Sequence, residues 1–181
     1  ETQAGYSPNS IAAQVAGLVC AADAARRHGR KDLSRKWLRL ADRWQRMVDD
    51  WTVTRNGPLS DDPYYLRLTK NGRPGTKSPY PMGDGGPKKI DQRRVVDPSF
   101  LTLVRFGLVP ADDPAVVNTL EVIDRKLKVE TPNGAFWRRF SFDGYGETRK
   151  GGQWEITESG TFTTLGRGWP LLAGERGEYA V

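Results

Sequence analysis

The sequence predicts a mainly α fold, part of an α/α toroid (a six-hairpin barrel) with long rim loops and a few short strands. Two long apolar stripes at helical spacing, joined only by residues 29–31, form an antiparallel helical hairpin. Two further helix starts carry an acidic residue followed by proline, at Asp97-Pro98 and Asp113-Pro114. Between the helices run stretches rich in Gly, Pro and aromatic residues that are too long for simple connections. No sequence repeats with a period of 20–50 residues, so the hairpins are not copies of one solenoid unit. Dissimilar helical hairpins joined by long loops suit a toroid whose loops build a site at one rim.

Ser7 and Pro8 open the first helix as cap and first turn, and Ile11, Val15, Leu18, Val19 and Ala22 mark its apolar stripe. Gly29 stops it. The second helix covers about 32–51, with Leu33, Trp37, Leu40, Trp44, Val48 and Trp51 on one face. This spacing makes Trp37, Trp44 and Trp51 core residues rather than ligand platforms. The irregular stretch 52–96 includes a strand expected over 64–68 and a turn at Asn71-Gly72. A third helix follows Asp97-Pro98 with Phe100, Leu101, Leu103, Val104 and Leu108. A fourth follows Asp113-Pro114 with Val116, Leu120, Ile123 and Leu127. Residues 136–142 read as extended, Gly151-Gly152 as a turn, and Trp169-Pro170 as the start of another helix.

The chain has 181 residues, 37% hydrophobic and 28% charged, which suits a packed domain and excludes wholesale disorder. No apolar run approaches the roughly 20 residues needed to cross a bilayer, so no membrane partner is expected. The net charge of +6 is spread in pairs such as Arg26-Arg27, Lys88-Lys89, Arg93-Arg94 and Arg138-Arg139, with no block of five. That dispersion speaks against nucleic acid as a partner. Cys20 is the lone cysteine, which excludes an internal disulfide and a cysteine zinc cluster. His28, the lone histidine, sits at a helix end after two arginines, where a cation suits the helix dipole. Chemistry in this chain therefore rests on carboxylates.

Glu1 and Glu175 stand out by their neighbours. Glu1 opens Glu-Thr-Gln-Ala-Gly-Tyr-Ser-Pro, and Glu175 lies in the block 166–179, Gly-Arg-Gly-Trp-Pro-Leu-Leu-Ala-Gly-Glu-Arg-Gly-Glu-Tyr. Between them come Trp137-Arg138-Arg139-Phe140-Ser141-Phe142-Asp143-Gly144-Tyr145-Gly146-Glu147 and Gly151-Gly152-Gln153-Trp154. Taken in order with Asn56-Gly57-Pro58-Leu59-Ser60-Asp61 and the segment 95–101, these blocks resemble bacterial members of glycoside hydrolase family 15, the glucoamylase and glucodextranase family. Phe140, Ser141 and Thr2 depart from residues common in relatives.

The resemblance implies an inverting exo-hydrolase releasing β-D-glucose from the non-reducing ends of an α-glucan. Glu1 maps onto the general acid and Glu175 onto the general base. Arg139 and Asp143 map onto residues that bind sugar hydroxyls, and Trp154 onto an indole of the substrate pocket. No metal and no organic cofactor is implied, and a secreted or periplasmic location is implied over a cytoplasmic one. The family motif places a tryptophan just before the acid. Residues 1–181 are thus expected to be a partial catalytic domain, with the N-terminal part of the same polypeptide as its partner and little activity alone. The competing reading is a non-catalytic carbohydrate-binding or structural fragment.

Overall fold

The computed structural model describes residues 3–181. Helix α1 (Pro8–Arg27) begins with Pro8 where a backbone N–H would go unused, and ends at Gly29, whose φ of +73° reverses the chain. Helix α2 (Lys31–Thr52) folds back along it. Ile11, Ala12 and Val15 of α1 and Ala41 and Val48 of α2 enter the main core. The stripe is rotated from the expected one. Val19 is exposed, while Ala12 and Ala25 are buried, because the small alanines let the two helices approach. Trp44 and Trp51 are half-buried against the core, whereas Trp37, equally half-buried, lies outside it.

Strand β1 (Val53–Thr54) pairs antiparallel with β2 (Tyr64–Tyr65). The strand expected over 64–68 is shorter because its later amides find other partners: Arg67 N–H donates to Val95, and Thr69 bridges to Tyr6. Both tyrosines are buried with their hydroxyls satisfied, Tyr64 donating to the Arg93 carbonyl at 2.7 Å and Tyr65 to Asp49 at 2.5 Å. Strands β3 (Pro79–Tyr80) and β4 (Ile90–Asp91) form a second short pair.

After Asp97, whose carboxylate caps Ser99 N–H at 2.8 Å, a 3-10 turn (Pro98–Leu101) leads into α3 (Thr102–Arg105). This helix is shorter than its apolar pattern suggests, since Gly107 at φ +71° ends it. Asp113 caps α4 (Pro114–Leu127) through Ala115 N–H at 2.8 Å, and the expected stripe of Val116, Leu120, Ile123 and Leu127 is buried. A hairpin of β5 (Lys128–Thr131) and β6 (Gly134–Trp137) follows. The extended segment stops pairing at Trp137, five residues short of expectation, as the chain turns through Phe142 at φ +64°. Strands β7 (Gly146–Thr148) and β8 (Thr164–Gly166) flank the turn at Gly151, and α5 (Pro170–Ala180) starts at the expected Pro170.

The helices and the first strands share one core. A smaller cluster of Leu68, Tyr80, Met82, Val95 and Phe140 sits under the loops.

Candidate active site

Arg139 and Asp143 meet because the chain between them is tied down at both ends. Ser141 N–H donates to the Val96 carbonyl at 3.0 Å, and the Ser141 hydroxyl accepts from Val96 N–H at 3.1 Å. The positive φ of Phe142 then turns Asp143 back toward Arg139. Arg139 donates Nε and Nη2 to the two carboxylate oxygens at 2.9 and 2.7 Å, a two-pronged charge-assisted contact. Tyr145 N–H adds a third hydrogen bond to Asp143 Oδ1 at 2.9 Å. Gly166 lies flat against this carboxyl: a Cβ there would fall 2.8 Å from Asp143 Oδ2.

The burial of these two partners differs. The Asp143 side chain is 0% exposed, while that of Arg139 is 35% exposed. Asp143 was expected to hold sugar hydroxyls; in this geometry its buried carboxylate accepts three protein donors. Its role in this geometry is to fix the guanidinium.

Aromatic rings wall the exposed side of Arg139, whose guanidinium carbon lies 4.7 Å from the Tyr145 ring centre. Tyr145 meets Trp154 edge-on at 4.6 Å and stacks parallel to Trp169 at 5.9 Å. Trp154 Nε1 donates to the Gly144 carbonyl at 3.2 Å, which locks this half-buried indole to the loop carrying Asp143. Trp169 is held by its backbone N–H to the Trp137 carbonyl at 2.9 Å. Its indole Nε1 is buried and has no partner among the described residues. Asp84 completes the group, with Oδ2 at 3.8 Å from Arg139 Nη2. Tyr145, Trp169 and Asp84 were not singled out from the sequence. The first two lie inside the motif blocks, but Asp84 is more than fifty residues away and carries no local signal.

Glu175 belongs to a different element. It sits on α5, six residues past Trp169, about 9 Å along the axis at the usual helical rise. It lines a cavity of about 240 Å³ with Leu101, Thr102, Val104, Arg105, Glu178 and Tyr179. Burial pushes its carboxyl above the ordinary value; Arg105 opposes the shift, and Asp97 and Glu178 reinforce it. Its Oε2 is buried without a hydrogen bond among the described residues. The neighbouring Arg176 turns away to Asp124 at 3.1 Å, where Trp137 Nε1 also donates at 2.8 Å. Among the described residues no hydrogen bond or ion pair joins Glu175 to the Arg139 cluster, and Glu1 lies outside the described residues. A larger cavity of about 450 Å³ borders the same loop, lined by Arg138, Phe140, Ser141, Phe142, Asp143 and Gly144 among others.

The chain is 44% identical over 177 residues to a glucoamylase of Clostridium sp. (strain G0005), covering 98% of this chain and 24% of that protein. Its fold matches the crystal structure of a bacterial glucoamylase complexed with acarbose with a TM-score of 0.90 at 44% identity, over 97% of this chain and 25% of that one. The chain thus spans about a quarter of the length of these relatives. The mainly helical architecture with few short strands is that expected of an α/α-toroid segment. The model of the glycosyl hydrolases family 15 matches residues 1–174, nearly the whole chain, and the chain belongs to that family.

Proposed function

We propose that this chain supplies part of the sugar site of an inverting exo-acting α-glucan hydrolase, which releases β-D-glucose from non-reducing ends. The observation that carries the reading is Arg139, fixed by the buried Asp143 and partly exposed beside Tyr145, Trp154 and Trp169. A guanidinium offers hydrogen-bond donors to hydroxyl oxygens, and indole and phenol faces accept the apolar C–H face of a pyranose. Such a surface orients a ring for attack. The family resemblance extends this reading to a secreted or periplasmic enzyme.

In this mechanism Glu1 protonates the glycosidic oxygen, and a second, ionised carboxylate draws a proton from the water attacking the opposite face. Inversion requires about 6.5–9.5 Å between the two carboxyl groups. The family resemblance gives the second role to Glu175. Its burial works against that role, because a general base has to be ionised and within reach of the water. The assignment therefore stands or falls on Glu175→Gln. Removal of a general base lowers kcat by about 10²–10⁴-fold.

The test is made on the gene product at its full natural length. Maltotriose and isomaltotriose are supplied and the first-formed glucose anomer is read by NMR. β-Glucose appearing first, with kcat/KM cut about 100-fold in Arg139→Ala, supports the proposal; α-glucose appearing first removes the inverting mechanism. The second reading, a non-catalytic carbohydrate-binding piece, draws on the chain's quarter-length coverage of its relatives. It predicts sugar binding that depends on Arg139, with no glucose release.

A further inference from the structure

We infer that Asp84 is the carboxylate that meets sugar hydroxyls beside Arg139, and that it helps set specificity for a pyranose carrying a vicinal diol. This rests on the reading of the Arg139 cluster as a sugar site.

Asp143 is buried and already holds three donors. Its oxygens receive Arg139 Nε, Arg139 Nη2 and Tyr145 N–H, and its side chain has no exposed surface. Asp84 is different. Its side chain is 20% exposed, its Oδ2 stands 3.8 Å from Arg139 Nη2, beyond hydrogen-bond length, and its carboxylate accepts no hydrogen bond from the described residues. An ionised carboxylate has about four lone-pair sites, so accepting capacity remains beside the ion pair with Arg139.

The placement of Asp84 is built in. Its φ is +52°, a left-handed conformation that Asp and Asn tolerate better than most residues. Its carbonyl accepts from Thr164 Oγ1 at 2.7 Å, and Gly144 packs so closely that a Cβ there would lie 1.7 Å from the same oxygen. The next residues are tied to another loop, with Phe162 N–H donating to the Gly85 carbonyl at 2.8 Å. Among the described residues, the non-glycine residues with positive φ are Asp84, Phe142 and Phe162, and all three fall in this interlock of segments 82–87, 142–146 and 157–166. Strain of this kind persists where the surroundings over-determine it, commonly at ligand clamps.

A guanidinium only donates and a carboxylate only accepts. Side by side, they present both halves of the pattern that two adjacent hydroxyls satisfy. A sugar epimerised at one of them leaves Arg139 or Asp84 unmatched, which is how a polar site rejects an analogue.

The test compares Asp84→Asn, Asp84→Gly and Arg139→Lys in the gene product at its full natural length. Both Asp84 variants accept the left-handed backbone, so the loop keeps its shape. Steady-state kinetics use maltotriose and a set of monodeoxy maltosides, with melting temperatures alongside. The expected result is a KM raised about ten-fold in Asp84→Asn with kcat within about three-fold. One monodeoxy substrate, lacking the hydroxyl that Asp84 holds, should show nearly equal KM in wild type and variant. A KM raised equally on every deoxy substrate marks a structural role and overturns the inference. An unchanged KM in both Asp84 variants, with KM raised in Arg139→Lys, overturns it while leaving the sugar site standing. If Arg139→Lys is also without effect, the site reading itself fails and the inference goes with it.

Discussion

A Cβ added at Gly17, in the middle of α1, meets nothing within 4 Å; one added at Gly144 falls 1.7 Å from the Asp84 carbonyl oxygen. The two glycines stand for two ways of building structure. The α1–α2 hairpin rests on a repeating pattern, with intrahelical hydrogen bonds and an apolar stripe, and tolerates local change. The loop layer around Arg139 rests on single contacts between segments distant in sequence, such as Thr164 with Asp84, Phe162 with Gly85, and Gly166 with Asp143. There each contact fixes the geometry of a functional side chain, and few residues can be exchanged.

The largest expected effect follows from this contrast. Gly144→Ala should cost about 3 kcal/mol or more, the upper range for overpacking, because the clash is with backbone rather than with a movable side chain. Urea denaturation measures the loss, and oligosaccharide affinity should fall with it, since Asp84 and Asp143 are displaced together. A loss below about 0.5 kcal/mol would mean that the interlock is loose, and the contrast between the regions would disappear.

The contrast also explains what was legible in the sequence. Helix starts at Pro8, Pro98, Pro114 and Pro170 were readable because proline in the first turn acts locally, with Asp97 and Asp113 adding side-chain caps at two of them. The α4 stripe was readable because its period matches a buried face. The α3 length and the 64–68 strand were misjudged because a glycine stop and long-range hydrogen bonds override an apolar pattern. Arg139, Asp143 and Trp154 were named through motif resemblance, which carries no information on their burial or mutual contacts. The burial of Asp143 and the approach of Asp84 depend on three loops meeting, and on positive φ at Asp84, Phe142 and Phe162, for which no local pattern exists.

A smaller effect tests the regular region at its most local device. Asp113 caps α4 through Ala115 and Val116 N–H at 2.8 and 3.4 Å. Asp113→Ala should cost about 1 kcal/mol in thermal or urea unfolding, with kinetics on oligosaccharides unchanged. A change in KM from this cap would show that the helices and the loop layer are coupled more tightly than the contacts suggest. In the same region, Gly17→Ala should raise stability by about 0.5–1 kcal/mol, the opposite sign from Gly144→Ala for the same chemical change.

The smallest expected effect concerns Glu175, a motif residue held in a regular helix rather than in the loop layer. Burial raises its carboxyl above the ordinary 4.5 in the folded chain. A raised folded value means that the folded state holds the proton more tightly than the unfolded one. The stability this provides is fully present below about pH 4.5 and is lost as pH rises through the raised value. Glutamine keeps the shape and removes the ionisation. Glu175→Gln should therefore match wild type in melting temperature at pH 4 and exceed it by about 1–2 °C at pH 7, a modest figure because the side chain is only partly buried. A gain in stability at pH 7 with kcat retained would make Glu175 a packing residue of α5, and the search for the general base would move elsewhere in the polypeptide. A gain accompanied by a kcat loss of about 100-fold or more would instead show a stability–activity trade-off at a working base. The pair of measurements therefore decides whether catalysis here draws on one region of the molecule or on both.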